Sequence, residues 1–413
     1  MFYGCGRPIK INILIPTIGS RGDVQPFIAL AQALARAGHS ITLASHPVMQ
    51  TLVASHGVTF APIGPDIDLA QEVAAILQRS PNIAFGLMRA MRFSFDLLEQ
   101  SHQDILALCQ QASLVVVSAQ SAAGKNEAEQ LQLPYLSVSF VPWGIPWDDP
   151  DRPLYKRALY GAFNRLVALI TTRPLNRMRK RQGLPPVGPE GFASPRLNLV
   201  PVSSAVYPAN LLWEPSHHIV GYWYADEPGS WQPPADLLAF LEDGEPPLLI
   251  SLGAMSLGRE DALQSASLFV EALRQTGLRA VIQGWQPALE QLDLPPEIFA
   301  AGSLPHSWLL PSCAGLVHHG GFGTTSAGLR AGIPALIIPH LVDQFYWGQR
   351  VFELGAGPQP IRRAKLDPQV LAERMAELAV NPEMRAAASR LGEQIRAEHG
   401  LENAVRLIEQ TFH

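Results

Sequence analysis

Short, continuously apolar runs recur along the chain, several of them ending in a glycine- or proline-containing turn that leads into a longer stretch with helical spacing. The first is Lys10-Ile-Asn-Ile-Leu-Ile-Pro16, which runs into Gly19-Ser-Arg-Gly-Asp23. Helical spacing follows from Phe27 to Ala37, and Gly38 stands where a helix C-terminus favours glycine. Ser40 to Ala44, Leu114 to Ser118 and Tyr135 to Ser139 read as further strands. Strands that are apolar throughout belong to a parallel sheet covered by helices on both faces. The rhythm restarts at Pro247-Leu-Leu-Ile-Ser251, with a helix from Ala262 to Gly277 and strands at Arg279 to Gln283, Gly315 to His318 and Ala335 to Pro339.

This pattern predicts two α/β domains of similar size with a cleft between them. They span 1–215 and 216–395, joined through a Pro- and Trp-rich linker at about 201–245 that holds Trp213, Trp223 and Trp231. Residues 396–413 form a last helix, expected to pack back on the first domain. Ligands of such sheets bind outside the carboxyl ends of the strands, so the glycine turns are the places to look.

Composition narrows the class. Of the 413 residues 47% are hydrophobic and 16% charged, against roughly 25% charged in an average soluble protein, which excludes a disordered chain and predicts large cores. A net charge of −5 argues against duplex nucleic acid as a partner. Cys5, Cys109 and Cys313 are scattered without metal-type spacing, as expected in a reduced, cytoplasmic compartment. No apolar run reaches the ~18 residues of a membrane span, so a soluble or peripheral cytosolic enzyme is expected.

One segment breaks the rhythm. Arg152 to Arg181 carries nine basic residues and no acidic one, with Leu154, Tyr155, Leu159, Phe163, Leu166, Leu169 and Ile170 between them. It reads either as the solvated face of an ordinary helix or as an amphipathic helix whose Arg177, Arg179 and Arg181 meet an anionic membrane surface.

Three constellations carry candidate chemistry. Val317-His-His-Gly-Gly-Phe-Gly-Thr-Thr325 is a strand end running into a helix expected to begin near Thr324. Glycines admit a ligand to the backbone, helix-start amides bind anions, and His319 adds a donor or a positive charge. The bland alternative is a turn kept tight for strand–helix packing. A redox-dinucleotide reading is weaker, because Ser326 stands where a third glycine is needed. In Pro339-His-Leu-Val-Asp343-Gln344, a carboxylate and an amide either hold sugar hydroxyls or, for Asp343, cap a helix. In Gly19-Ser-Arg-Gly-Asp23-Val-Gln-Pro26, Asp23 is a helix cap or a base. Asp66-Ile-Asp68 has the form of a metal-binding D-x-D with no further ligand in reach, and His318-His319 lacks zinc-site spacing, so no metal is expected.

Together and in this order the motifs resemble the nucleotide-sugar glycosyltransferases of the sterol-glucosyltransferase and glycopeptide-antibiotic type. The resemblance runs through Pro16 to Pro26, Gly221-Tyr-Trp223, Trp231-Gln-Pro-Pro234 and Pro246 to Gly253. It continues through Leu304-Pro-His-Ser-Trp308, His318 to Thr325, Ala331-Gly-Ile-Pro334 and Asp343-Gln344. It implies a GT-B fold, two Rossmann-like domains facing across a cleft. His319, Gly321, Gly323, Thr324 and Thr325, with Ser251 and Gly253, then match the donor diphosphate cradle. Ser303, Leu304 and His306 match the segment that meets the nucleotide base, and Asp343 and Gln344 the pair that holds the donor sugar. Asp23 stands where plant relatives carry a base histidine in Gly-His-x-x-Pro, which favours the base over the cap alone.

Departures exist. Phe322 replaces a usual alanine and adds bulk beside the diphosphate site, and Ser251-Leu-Gly-Ala-Met255 replaces Gly-Phe-Gly-Ser-Met. The implied activity is an inverting transfer, without metal or other cofactor, of glucose or a similar hexose from UDP. The acceptor is the hydroxyl of a lipophilic molecule such as a sterol, hopanoid or carotenoid. A polyketide- or peptide-tailoring transferase is the near alternative. A nucleotide-sugar epimerase or an inactive nucleotide-sugar-binding module is the distant one.

Overall fold

The computed structural model describes residues 10–142, 145, 153–188, 192–226, 231–252, 259–340 and 342–412. The chain divides into two compact units, 1–228 with 399–413, and 229–398.

The first unit holds seven parallel strands: β1 (Asn12–Pro16), β2 (Ser40–Ser45), β3 (Phe60–Pro62), β4 (Leu114–Ser118), β5 (Tyr135–Val138), β6 (Asn198–Val200) and β7 (His217–Ile219). Their order is β3-β2-β1-β4-β5-β6-β7, so the chain reverses its direction across the sheet between β1 and β4. Every residue of β4 is buried, as a run without polar alternation requires, and Val115 and Val117 pack with Leu14, Leu97 and Ile105. Burying each such side chain is worth about 1.5–3 kcal/mol.

Two boundaries differ from the sequence reading. The first helix spans Arg21–Arg36 and starts before Phe27, with Pro26 inside it. Pro26 reads as a break because it forfeits a backbone hydrogen bond, but the Ser20 cap starts the helix upstream. The stretch read as a linker is largely part of this unit. β7 lies in it and pairs with β6, and Trp213 and Trp223 are buried. The units therefore divide at 228/229, not 215/216.

The helix Gly400–Phe412 lies against Arg21–Arg36. His39 faces Glu409 at 3.3 Å, Arg196 donates to the Thr411 carbonyl at 2.6 Å, and the Trp223 indole donates to the Gly400 carbonyl at 3.2 Å. A Cβ at Gly400 would lie 2.7 Å from the Gly221 carbonyl carbon, so only glycine fits this crossing.

The second unit holds five parallel strands: β8 (Leu248–Ser251), β9 (Ala280–Gln283), β10 (Ile298–Ala301), β11 (Gly315–His318) and β12 (Ala335–Ile337). Their order, β10-β9-β8-β11-β12, reverses between β8 and β11, where Ser251 pairs with His318. Leu248, Ile250, Phe269, Leu273, Val317 and Leu336 fill one side of the sheet. Among the described residues no helix is long and apolar enough to cross a membrane.

Candidate active site

The polar residues gather at the carboxyl ends of the strands that flank each reversal, where open α/β sheets place ligands. In the second unit, Ser251 ends β8 and is buried, and His318 ends β11 fully buried. The His318 Nδ1 accepts the Gly320 amide at 3.1 Å, which puts its proton on Nε2. Burial, then the neighbouring His319 and His306, hold its pKa well below the ordinary 6.5. Gly320 has φ +87°, and an added Cβ would lie 2.8 Å from Ile337 Cγ2 and 3.1 Å from the Gln344 carbonyl oxygen, so this glycine belongs to the packing.

His319 lies with its ring against Gly321, where a Cβ would stand 3.1 Å from Cε1. Burial, and after it His340, bring its pKa down to about 4, with the Ser251 main chain pulling the other way. His319 is therefore neutral at pH 7 in this structure. Of the two alternatives the sequence left open, a donor or a positive charge, burial favours the neutral donor.

The helix starts at Phe322 rather than near Thr324, because Gly321 is an extended N-cap (φ −62°, ψ 145°). Its first amides have no partner within the helix and form the anion-binding end of its dipole. Thr325 is buried and its hydroxyl donates to the Gly321 carbonyl at 2.9 Å, so it is spent inside the helix and not shown to a diphosphate. Thr324 stays partly exposed. Gly323 is exposed, and a Cβ built there meets nothing within 4 Å. Neither its packing nor a positive φ requires glycine.

Phe322 packs its ring 5.8 Å from that of the buried Trp347. Ser303 is exposed and Leu304 buried beyond β10, and His306 opens the short helix His306–Leu309. Gly253 lies outside the described residues.

Asp343 and Gln344 stand in the first turn of the helix Val342–Glu353. The buried Gln344 accepts the His340 amide through Oε1 at 2.7 Å, which orients the carboxamide. Gln344→Glu keeps that acceptor and removes the donor. It is expected to weaken UDP-glucose binding about tenfold while leaving UDP unchanged, by calorimetry with both ligands. Equal losses for the two would remove Gln344 from the sugar.

In the first unit Asp23 follows β1, beside the reversal. Its Oδ2 accepts both the Ser20 amide (2.7 Å) and the Ser20 hydroxyl (2.8 Å). Ser20 was not singled out from sequence, although Ser20-Arg-Gly-Asp23 has the spacing of a reciprocal cap. Crowding by the surrounding protein raises the Asp23 pKa above its ordinary 3.8, and the Ser20 hydroxyl and amide oppose this. The net direction is opposite to that of a simple cap. The residue keeps an exposed surface.

Other expectations resolve differently. Asp68 is a helix cap, accepting from the Ala70 and Gln71 amides, and no group of three or more metal-ligating side chains occurs among the described residues. Arg179 is buried, 1% exposed, and so does not meet a membrane. It donates to Glu129 at 2.6 Å, Asn126 at 2.8 Å and the Pro185 carbonyl at 2.7 Å. Arg181 is exposed and pairs with Glu99 at 2.5 Å, while Arg177 is exposed. The acids missing from the segment come from other helices. Cys109 and Cys313 are buried thiols, each pushed up to about 12 by desolvation, and are unreactive.

Two parallel-sheet units of this order, with a glycine-rich turn at the reversal in the second, define a GT-B scaffold. Over 98% of the chain it matches the solved structure of the glycotransferase of kitacinnamycin (TM-score 0.76, 20% identity, all of that chain). Over 97% it matches glycosyltransferase VinC in complex with dTDP (TM-score 0.72, 22% identity, 99% of that chain). Residues 13–145 match the glycosyltransferase family 28 N-terminal domain, and residues 281–409 the erythromycin biosynthesis protein CIII-like C-terminal domain.

An O-mycaminosyltylonolide 6-deoxyallosyltransferase from Streptomyces fradiae is 33% identical over 97% of both chains. A sterol 3-beta-glucosyltransferase from Pichia angusta is 32% identical over 97% of this chain and 34% of its own length. The chain thus spans about a third of the sterol glucosyltransferases it matches. It belongs to this glycosyltransferase family.

Proposed function

We propose that the chain transfers a hexose, glucose first among them, from UDP to a hydroxyl of a lipophilic acceptor such as a sterol or hopanoid, inverting the anomeric carbon and using no metal. Gly323 carries the donor reading. An exposed helical glycine costs up to about 1 kcal/mol against alanine, and nothing among the described residues requires it, so the open space suits a ligand. A diphosphate there meets the helix-start amides, Thr324 and neutral His319. Asp23 takes the proton of the acceptor hydroxyl as that oxygen attacks the anomeric carbon opposite the departing UDP. Its raised pKa makes it a better base than an ordinary carboxylate. The single displacement turns an α-linked donor into a β-glycoside.

Gly323→Ala is expected to leave stability equal or higher by up to about 1 kcal/mol and to weaken UDP by roughly tenfold or more. Thermal melts and calorimetry check the two arms. Unchanged UDP affinity would remove the diphosphate from this turn.

The function itself is tested by incubating the protein with radiolabelled UDP-glucose and a membrane lipid extract. Label in the organic phase supports the reading, and an epimerised nucleotide sugar overturns it. The Streptomyces relative and the dTDP bound to VinC favour a second reading, tailoring of a natural product from a dTDP-sugar. A dTDP-glucose arm in the same assay separates the two.

A lipid acceptor has to be collected from a bilayer. The exposed Leu154, Tyr155 and Leu159 support contact there through the N-terminal turns of the helix Leu154–Arg181. Co-flotation with anionic vesicles is expected to fall when Leu154 and Leu159 become serine. Flotation unchanged by that double variant would clear these turns of membrane contact.

A further inference from the structure

The turn that carries Asp23 has a feature that the base reading, on which this inference rests, does not use. A Cβ at Gly19 would fall on the Asp23 Cβ, with Oδ2 at 2.6 Å and Cγ at 2.7 Å, well inside any van der Waals contact. The Asp23 side chain therefore lies across the space a residue-19 side chain would fill. Gly19 has no positive φ, so its backbone does not demand glycine. The neighbouring Gly22 differs. A Cβ there meets only the Ser20 hydroxyl, at an ordinary 3.7 Å. Ser20 gives the carboxylate two hydrogen bonds, and both fall on Oδ2.

We propose that Gly19 is a positioning residue for the transfer. Its missing side chain leaves a seat in which Asp23 folds back onto the Ser20 amide and hydroxyl, so that Oδ2 is held and Oδ1 is the oxygen that accepts the proton. A methyl group at residue 19 pushes the carboxylate off the seat and off both donors. The main chain of the turn has bonds of its own, the Asp23 and Val24 amides donating to the Ser20 carbonyl at 3.0 and 3.2 Å.

The test compares wild type with Gly19→Ala, Gly22→Ala and Ser20→Ala. Each is read by the ¹³C NMR titration of the Asp23 carboxyl, which needs no acceptor, and by transfer from UDP-glucose to the lipid extract. Losing donors to the carboxylate raises its pKa. Gly19→Ala is expected to titrate about one unit higher and to transfer about 10²-fold more slowly, the cost of displacing a reacting group by ~1 Å, with UDP affinity unchanged. Ser20→Ala keeps the amide bond and shifts by less. Gly22→Ala follows wild type in both readouts.

A Gly19→Ala titration and rate like wild type overturn the proposal, as does an equal loss in Gly22→Ala, which would mean that the turn merely needs its glycines. If Gly19→Ala does not fold, the Ser20→Ala titration decides, and no upward shift there overturns the seat. A shifted titration with undiminished transfer supports the seat and overturns the base reading instead.

Discussion

Asp23→Asn is expected to bind UDP as the wild type does and to transfer sugar roughly 10²–10⁴-fold more slowly, the usual contribution of a positioned general base. The substitution is the sharpest available because asparagine keeps an oxygen where Oδ2 accepts from Ser20, so the cap and the start of Arg21–Arg36 survive. Only the ability to take a proton is lost. The pH profile makes the same point. With Asp23 as the base the reaction needs the carboxylate, so the wild-type rate is expected to fall as pH drops through the Asp23 pKa, which desolvation has raised above 3.8. The acid limb of kcat/KM should lie above 3.8 and vanish in the residual activity of the variant. A folded Asp23→Asn protein that transfers at the wild-type rate would leave Asp23 a helix cap and nothing more.

What the sequence made legible, and what it hid, follows from how local each signal is. β1, β4, β8 and β11 are short apolar runs, three of them ended by or just before glycine or proline, and a buried parallel strand leaves an apolar run without reference to any other residue. β3, β6 and β7 have three residues each, too few to show a period. The Pro- and Trp-rich stretch misled because proline reads as linker, whereas Trp223 is fixed by a hydrogen bond to Gly400, far along the chain.

The site divides the same way. His319, Gly321, Gly323, Thr324, Asp343 and Gln344 are contiguous in sequence around two strand ends, and the structure gathers them there. What each does depended on atoms that sequence does not place. Thr325 turned inward to Gly321, His319 lost its charge to burial and to His340, and Gln344 spent its oxygen on a backbone amide. The Ser20 clamp on Asp23 lay in plain sight as a capping spacing, but capping lowers a pKa, and only the crowding around the carboxylate shows that the net shift is upward.

Arg179→Met is expected to destabilise the first unit by about 3–5 kcal/mol, the cost of removing one partner from a buried ionic network, seen as a large drop in Tm or denaturant midpoint. Arg179 is buried, and its three donors leave no slack. Nη2 holds Glu129, Nη1 holds Asn126, and Nε holds the Pro185 carbonyl just past the end of the helix Leu154–Arg181. Glu129 is shared with Lys125 at 2.8 Å and with the Tyr135 hydroxyl at 3.0 Å, and Lys125 donates to Tyr135 at 2.6 Å. Asn126 in turn donates to Gln182 at 2.8 Å. One guanidinium therefore ties the short helix Lys125–Gln130, which follows β4, to the end of the basic helix.

Methionine fills most of the arginine's volume, so the loss reports the charge and its bonds more than a cavity. Without Arg179, Glu129 keeps only Lys125 as a cationic partner and the Pro185 carbonyl loses its donor. Arg177→Met, on the exposed side of the same helix, is expected to cost within about 0.5 kcal/mol. The pair of variants separates the two readings of the nine-charge segment. If Arg179→Met were as mild as Arg177→Met, the guanidinium would be a surface charge after all, available to a membrane.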